Sequence, residues 1–318
     1  MGREDHDSMI MKISWVHLKF NEFVSIPRQP ENPLIHSSML KGQDMALAHN
    51  LGFPHIGRDR ELRARHWQVQ KDAGIELLPV GDFAWDSHVL SAGDQPLVLN
   101  WEPLFEEVEH AKALGHAVKP VVIGPLTYLW QGQTLGGDFD KLELLDRLLP
   151  VYDQLLNRLA DHGVEWVQID EPILAQDLPQ DWKNAYERVY NILQRAPLKK
   201  LIATYFGGLE GNLGLAANLP VDGLHVDLVQ APEQYQTILD RLPAYKVLSL
   251  GLVDGRNASP CDLGKTLGLL HEAHERLGER LWLAPACSLL ESPVELAVQK
   301  CQEVAVLAAS LEQDRAAA

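Results

Sequence analysis

Cysteine is scarce: Cys261, Cys287 and Cys301 are the only three in 318 residues. An odd number, long spacings and no CxxC exclude a disulfide framework or a zinc ribbon, so reduced thiols in a cytoplasmic protein are expected. No apolar run reaches the roughly 18 residues of a membrane span, and the polar opening Met1-Gly2-Arg3-Glu4-Asp5-His6-Asp7 is no secretory signal. Glycine-rich phosphate loops are missing, with Gly136-Gly137 and Gly207-Gly208 reading as turns, and so is a GxSxG nucleophile elbow. Catalytic zinc needs three or four Cys, His or carboxylate ligands, some closely spaced, but neither HxC nor HExxH occurs. His271 and His274, with Glu272 and Glu275 beside them, read as the solvated face of an outer helix, and Cys287 as an isolated core thiol. No metal and no cofactor is therefore expected in this chain. Positive charge is also short: the net charge of −16 argues against nucleic acid or an anionic membrane as a partner. A local basic pocket for an acidic small molecule remains compatible with it.

What is present is an ordinary globular composition, 46% hydrophobic and 23% charged, long enough to bury a full core without staples. Residues 1–44 read as a tail, poorly ordered or loosely docked. Residues 13–24 suit an isolated strand or short helix, and Pro27, Pro30 and Pro33 then break any pattern. Met45 is an alternative start. From there, eight short runs rich in Val, Ile and Leu alternate with amphipathic stretches. The runs are residues 47–51, 76–79, 120–123, 166–169, 201–205, 223–226, 247–252 and 281–284, and they lack the polar alternation of a half-exposed sheet. Strands of a parallel sheet buried on both faces read this way.

Between the runs, residues 101–114, 138–162, 181–194, 232–242, 262–277 and 292–311 read as helices. Gly163 stops one of them, and Ser292-Pro293 with Glu295 starts the last. The pattern predicts an α/β fold, a (β/α)8 TIM barrel over residues 45–314, with a doubly wound open sheet as the alternative.

In such a barrel the chemistry sits on the loops after the strands. Those loops carry Asp82, Asp170, Glu171, His225, Asp227, Asp254, Arg256, Asn257 and Ser288. Several carboxylates in one mouth serve as acid and base, or simply hold loops, and both readings stand for Asp170 and Glu171. His225 and Asp227, two apart on a strand, face the same side; they form either a substrate-orienting pair or a structural one.

These segments together resemble cobalamin-independent methionine synthase. The similar segments include Asn50-Leu51-Gly52-Phe53-Pro54-His55-Ile56-Gly57, Glu61-Leu62-Arg63-Ala64-Arg65-His66-Trp67 and Leu78-Pro79-Val80-Gly81-Asp82-Phe83-Ala84-Trp85. Further along are Trp166-Val167-Gln168-Ile169-Asp170-Glu171-Pro172, Thr204-Tyr205-Phe206, His225-Val226-Asp227, Gly255-Arg256-Asn257 and Cys287-Ser288-Leu289-Leu290. The resemblance runs from about residue 46 to 308 and is to the family's amino-terminal barrel, shortened. It implies methyl transfer from 5-methyltetrahydrofolate-triglutamate to homocysteine in methionine biosynthesis. The zinc belongs to the family's carboxyl-terminal barrel, which this chain does not match. By resemblance, Arg60, Glu61, Leu62 and Arg63 face the folate glutamate tail, whereas the insertions that supply a lysine and aromatics there are missing. The chain is thus expected to be inactive alone and to work with a separate zinc-bearing half. The alternative is a non-catalytic barrel that binds folate or an amino acid, or a scaffold that docks a separate catalytic partner. An unrelated glycoside hydrolase using Asp170, Glu171, Asp227 and Asp254 is a third reading.

Overall fold

A computed structural model describes residues 10–12, 46–56, 59–81, 89–91, 101–135 and 139–317. Its strands are β1 (Ile10–Lys12), β2 (Leu47–Ala48), β3 (Leu78–Val80), β4 (Val89–Ser91), β5 (Val118–Ile123), β6 (Gln133–Leu135), β7 (Trp166–Asp170), β8 (Lys199–Ala203), β9 (Gly223–Asp227), β10 (Val247–Val253) and β11 (Leu281–Pro285). Eight of them form one parallel sheet in the order β2-β11-β10-β9-β8-β7-β5-β3. A parallel bridge from His49 to Leu77 joins its two edges, so the sheet closes on itself as a (β/α)8 TIM barrel. Each of the eight apolar runs read from the sequence becomes one of these strands.

The helices are α1 (Arg60–Asp72), α2 (Glu102–Ala113), α3 (Pro125–Gln131), α4 (Leu145–Asp161), α5 (Gln180–Leu193), α6 (Leu213–Asn218), α7 (Tyr235–Arg241), α8 (Leu263–Leu277) and α9 (Val294–Ala317). α4 shows why they form. Leu145, Leu148, Leu149, Tyr152, Leu155, Leu156 and Leu159 recur every three or four residues and are all buried against the barrel. Burying each such side chain contributes about 1.5–3 kcal/mol. The helix stops at Gly163, whose φ of 67° is the left-handed conformation that glycine adopts without strain. Two helix starts differ from expectation. The predicted helices over 138–162 and 232–242 each open with a turn of 3-10 helix, Lys141–Leu144 and Pro232–Gln234, before α4 and α7 begin. The Ser292 hydroxyl, just before α9, donates to the Gly255 carbonyl (3.0 Å) and ties the loop after β11 to the loop after β10.

The barrel interior is layered. At the amino ends of the strands, Leu77, Trp166, Leu201 and Trp282 form an apolar floor with Leu47 and Val247. At the carboxyl ends, Leu51, Ala203, Tyr205, Ala284 and Cys287 form a second apolar cluster. Between them lie fully buried polar residues: His49, Lys119, Gln168, His225 and Ser249.

The tail expected over residues 1–44 falls outside the described residues except at β1. That strand pairs antiparallel with β4 and β6 in a small separate sheet. The strand or helix expected over 13–24 also lies outside the described residues. Among the described residues no helix is long and apolar enough to cross a membrane.

Candidate functional site

The dipeptide at the end of β7 splits in two directions because side chains alternate along a strand. Glu171 turns outward, between the sheet and its helices. It is fully buried, and its carboxyl accepts from the Thr127 backbone N–H (2.9 Å), the Thr127 hydroxyl (2.6 Å), Tyr186 (2.9 Å) and Tyr190 (2.9 Å). Tyr186 and Tyr190 lie four apart on α5, so one helix face presents both phenols. Burial raises the carboxyl pKa, and these donors oppose the rise. Gly124 makes room for the carboxylate: a Cβ there would stand 2.0 Å from its carboxyl carbon. Every contact of Glu171 is thus structural.

Asp170 faces the barrel interior and is half-buried at the mouth. Its two oxygens accept from Gln168 Nε2 (2.7 Å) and the Tyr205 hydroxyl (3.0 Å). Gln168 is oriented from below. Lys119, which can only donate, bonds to its Oε1, so Nε2 turns toward Asp170 and the Leu51 carbonyl. Burial pushes the Asp170 carboxyl up to about 7, against the pull of the Gln168 and Tyr205 hydrogen bonds. A half-buried carboxyl poised near neutrality in a barrel mouth is suited to a cationic ligand group or to a proton.

His225 and Asp227 do not pair with each other. His225 Nε2 meets the Ala286 carbonyl (3.3 Å), so that nitrogen carries the proton and Nδ1 accepts the Ser249 hydroxyl proton (2.8 Å). Ser249 Oγ then accepts from His49 Nε2 (2.7 Å). Burial, first of all, lowers His225 to about 3 and holds His49 well below the usual value of 6.5. Both rings are therefore neutral in the folded protein. Unfolding lets them take up protons, so this layer loses stability as pH falls below 6.5. The expected ¹⁵N NMR result is two Nε2–H neutral tautomers unchanged from about pH 7 to pH 5; titration of either ring in that range would contradict the assignment.

Asp227 is fully buried and gives its oxygens to three backbone N–H groups: Phe206 (3.1 Å), Val229 (3.0 Å) and Gln230 (2.9 Å). Asp254 likewise accepts from the Arg256 backbone N–H (3.0 Å), and Asn257 from that of Ser259 (2.9 Å). Ser288 is half-buried, with Leu290 N–H 3.4 Å from its hydroxyl. Arg256 is exposed at the rim, its guanidinium carbon 5.4 Å from the centre of the Phe206 ring. Cys287 lies beneath, its thiol pushed up to about 12 by burial. Arg60 and Glu61 are exposed, and Leu62 and Arg63 half-buried, in the first turn of α1, which Asp59 caps by accepting Leu62 N–H (2.8 Å). The His110 ring is lowered by burial and then by Arg60 and Arg63. Asp82 lies outside the described residues.

Sequence reading named the rim but not Gln168, Lys119, Tyr205 or Phe206 as site residues. The signal for Gln168 was present, because residues 168 and 170 of one strand must share a face.

Zinc, which the resemblance assigns to the other half of the family's enzymes, does not fit the residues of this mouth. Both His225 nitrogens are committed, Asp227 is filled by backbone donors, and the Cys287 thiol is held protonated. Among the described residues no three His, Cys, Asp or Glu side chains are grouped so as to hold a metal.

A parallel eight-stranded barrel with its polar side chains gathered at the carboxyl ends of the strands is a (β/α)8 protein by architecture. Residues 91–278 match the model of the cobalamin-independent synthase N-terminal domain, and the chain belongs to that family. Among solved structures it is similar to a B12-independent methionine synthase from Shewanella sp. W3-18-1, in complex with selenomethionine, at 14% identity and a TM-score of 0.65, covering 87% of this chain and 99% of that one. It is also similar to a putative vitamin-B12 independent methionine synthase from Listeria monocytogenes (18%, TM-score 0.63, 84% and 98%). A methyltransferase from Methanosarcina mazei is a third such structure (14%, TM-score 0.59, 87% and 96%). At these identities the likenesses establish the fold.

Proposed function

We propose that this chain is the ligand-binding barrel of a methyl-transfer system in methionine biosynthesis, taking the ammonium group of a methionine-type amino acid on Asp170. The observation that carries the reading is the Asp170 carboxyl itself, half-buried at the mouth, braced by Gln168 and Tyr205, and raised to about 7. A bound ammonium would compensate the burial that raises it. The description of the Shewanella protein as a selenomethionine complex, in a chain that this one covers almost entirely, supports a ligand of that class. Folate is the second ligand implied by the family. Arg60 and Arg63 sit in the first turn of α1, where the helix dipole disfavours cations; the anionic glutamate tail of a folate would relieve that conflict.

The methyl-transfer step itself is assigned to a zinc-bearing partner barrel, and no step through a metal is assigned to this chain. The three cysteines, all free thiols, agree with a cytoplasmic location. The expected outcome is that this chain alone does not rescue a methionine auxotroph, whereas co-expression with a zinc-bearing synthase barrel does. Rescue by the chain alone would overturn the partner requirement. The scaffold alternative is favoured if neither methionine nor folates raise the melting temperature.

A further inference from the structure

The rim of the mouth also carries an exposed arginine, Arg256, held against an aromatic ring. Phe206 adopts a φ of 71°, a left-handed conformation rare for an aromatic residue, and its ring is 48% exposed. Asp227 holds it there by accepting its backbone N–H (3.1 Å). The edge of the Tyr205 ring supports it, with centroids 4.7 Å apart. Arg256 lies over the Phe206 ring at 5.4 Å.

The Arg256 loop is braced as well. Asp254 accepts the Arg256 backbone N–H, and Ser292 holds the Gly255 carbonyl. Asp227 and Asp254 give their oxygens to backbone N–H groups, and the Arg256 charge acts on Asp227 only by lowering its pKa, without a hydrogen bond. Among the described residues the guanidinium has no hydrogen-bond acceptor and no ion pair. A planar cation stacked on an aromatic ring keeps its N–H edge free, and that edge matches a carboxylate in bidentate geometry. Tyr205 links the two sides of the mouth: its hydroxyl bonds to Asp170, and its ring supports Phe206.

We propose that Arg256, positioned on Phe206, is a carboxylate-binding subsite of this mouth. The ligand is then an α-amino acid held by both charged groups on its α-carbon, the ammonium on Asp170 and the carboxylate on Arg256. This rests on the ammonium reading of Asp170 given above and adds the second anchor.

The test is calorimetric titration of the full chain with L-methionine and with L-methioninol, which keeps the ammonium and lacks the carboxylate. The native chain is expected to prefer methionine by at least about tenfold. Arg256→Ala, at an exposed position that does not threaten folding, is expected to reduce that preference to within about twofold and leave methioninol binding unchanged. Arg256→Lys is expected to recover part of it. A preference that survives Arg256→Ala, or none in the native chain, overturns the subsite. Asp170→Asn separates the two readings. It weakens both ligands if the ammonium reading holds, whereas methionine binding that is lost with Arg256 and unaffected at Asp170 overturns that reading alone. Absence of binding by either ligand to the native chain overturns both.

Discussion

Replacing Glu171 with alanine is expected to destabilise the barrel by about 3–5 kcal/mol, the cost of removing one side of a buried, fully bonded charged group. The substitution strands four donors at once: the Thr127 backbone N–H, its hydroxyl, and the Tyr186 and Tyr190 phenols. These come from α3 and α5, so the packing of two helices on β7 loosens together. A fall in melting temperature of roughly 4–8 °C is the corresponding calorimetric result for a chain of this length. Glu171→Gln keeps one acceptor oxygen, and the two tyrosine hydroxyls can rotate to accept from its amide, so a smaller loss of about 1–2 kcal/mol is expected. Because Glu171 does not face the mouth, folded Glu171→Gln protein should bind ligand like the parent. An alanine variant within about 1 kcal/mol of the parent would contradict the network.

The second large effect belongs to its neighbour. An ammonium ligand binds the ionised form of Asp170, and burial holds that carboxyl at about 7 in the free chain. Below that pH the ligand must first displace a proton, so affinity is expected to fall about tenfold per pH unit and to level off above about 7. Asp170→Asn should lose most of the affinity at about pH 8 and show no pH dependence. The same shift bears on stability. The folded-state pKa lies above the ordinary 3.8, so the folded protein holds this proton more tightly than the unfolded chain. The native state therefore loses stability as pH rises from about 4 to about 7, and stays at that lower level above. Asp170→Asn, which cannot ionise, is expected to be more stable than the parent at about pH 8 while binding ligand worse, a cost commonly seen at functional sites.

Adjacent carboxylates with opposite assignments show what was legible in the sequence. The eight strands were readable because a parallel strand covered on both faces is apolar throughout, and Trp166-Val167-Gln168-Ile169 shows this despite its single polar residue. That glutamine was itself the marker of the barrel interior, and with the period of two it places Asp170 inside and Glu171 outside. The short first strand was less readable. Beyond the His49 bridge the chain leaves the ladder, with the Asn50 side chain accepting Leu51 N–H (2.8 Å) and donating to Gln70 (3.0 Å). Asn50 and Gln70 are twenty residues apart, and no local pattern foretells their pairing. The pairing expected of His225 and Asp227 from their shared face does not form: His225 bonds to Ser249 and the Ala286 carbonyl from other strands, and Asp227 takes backbone N–H groups of Phe206, Val229 and Gln230. The stacking of Arg256 on Phe206 joins loops fifty residues apart in sequence and rests on one unusual φ angle, which only the folded chain reveals.

Binding at the mouth through Asp170 is the claim on which the rest depends. Titration of the full-length chain with L-methionine at about pH 6 and about pH 8, in buffers of differing ionisation enthalpy, tests it most directly. Binding about tenfold tighter at the higher pH, with a proton released at the lower pH and no such difference in Asp170→Asn, is the predicted result. Affinity that is independent of pH, or equal in the native and Asp170→Asn chains, would contradict it.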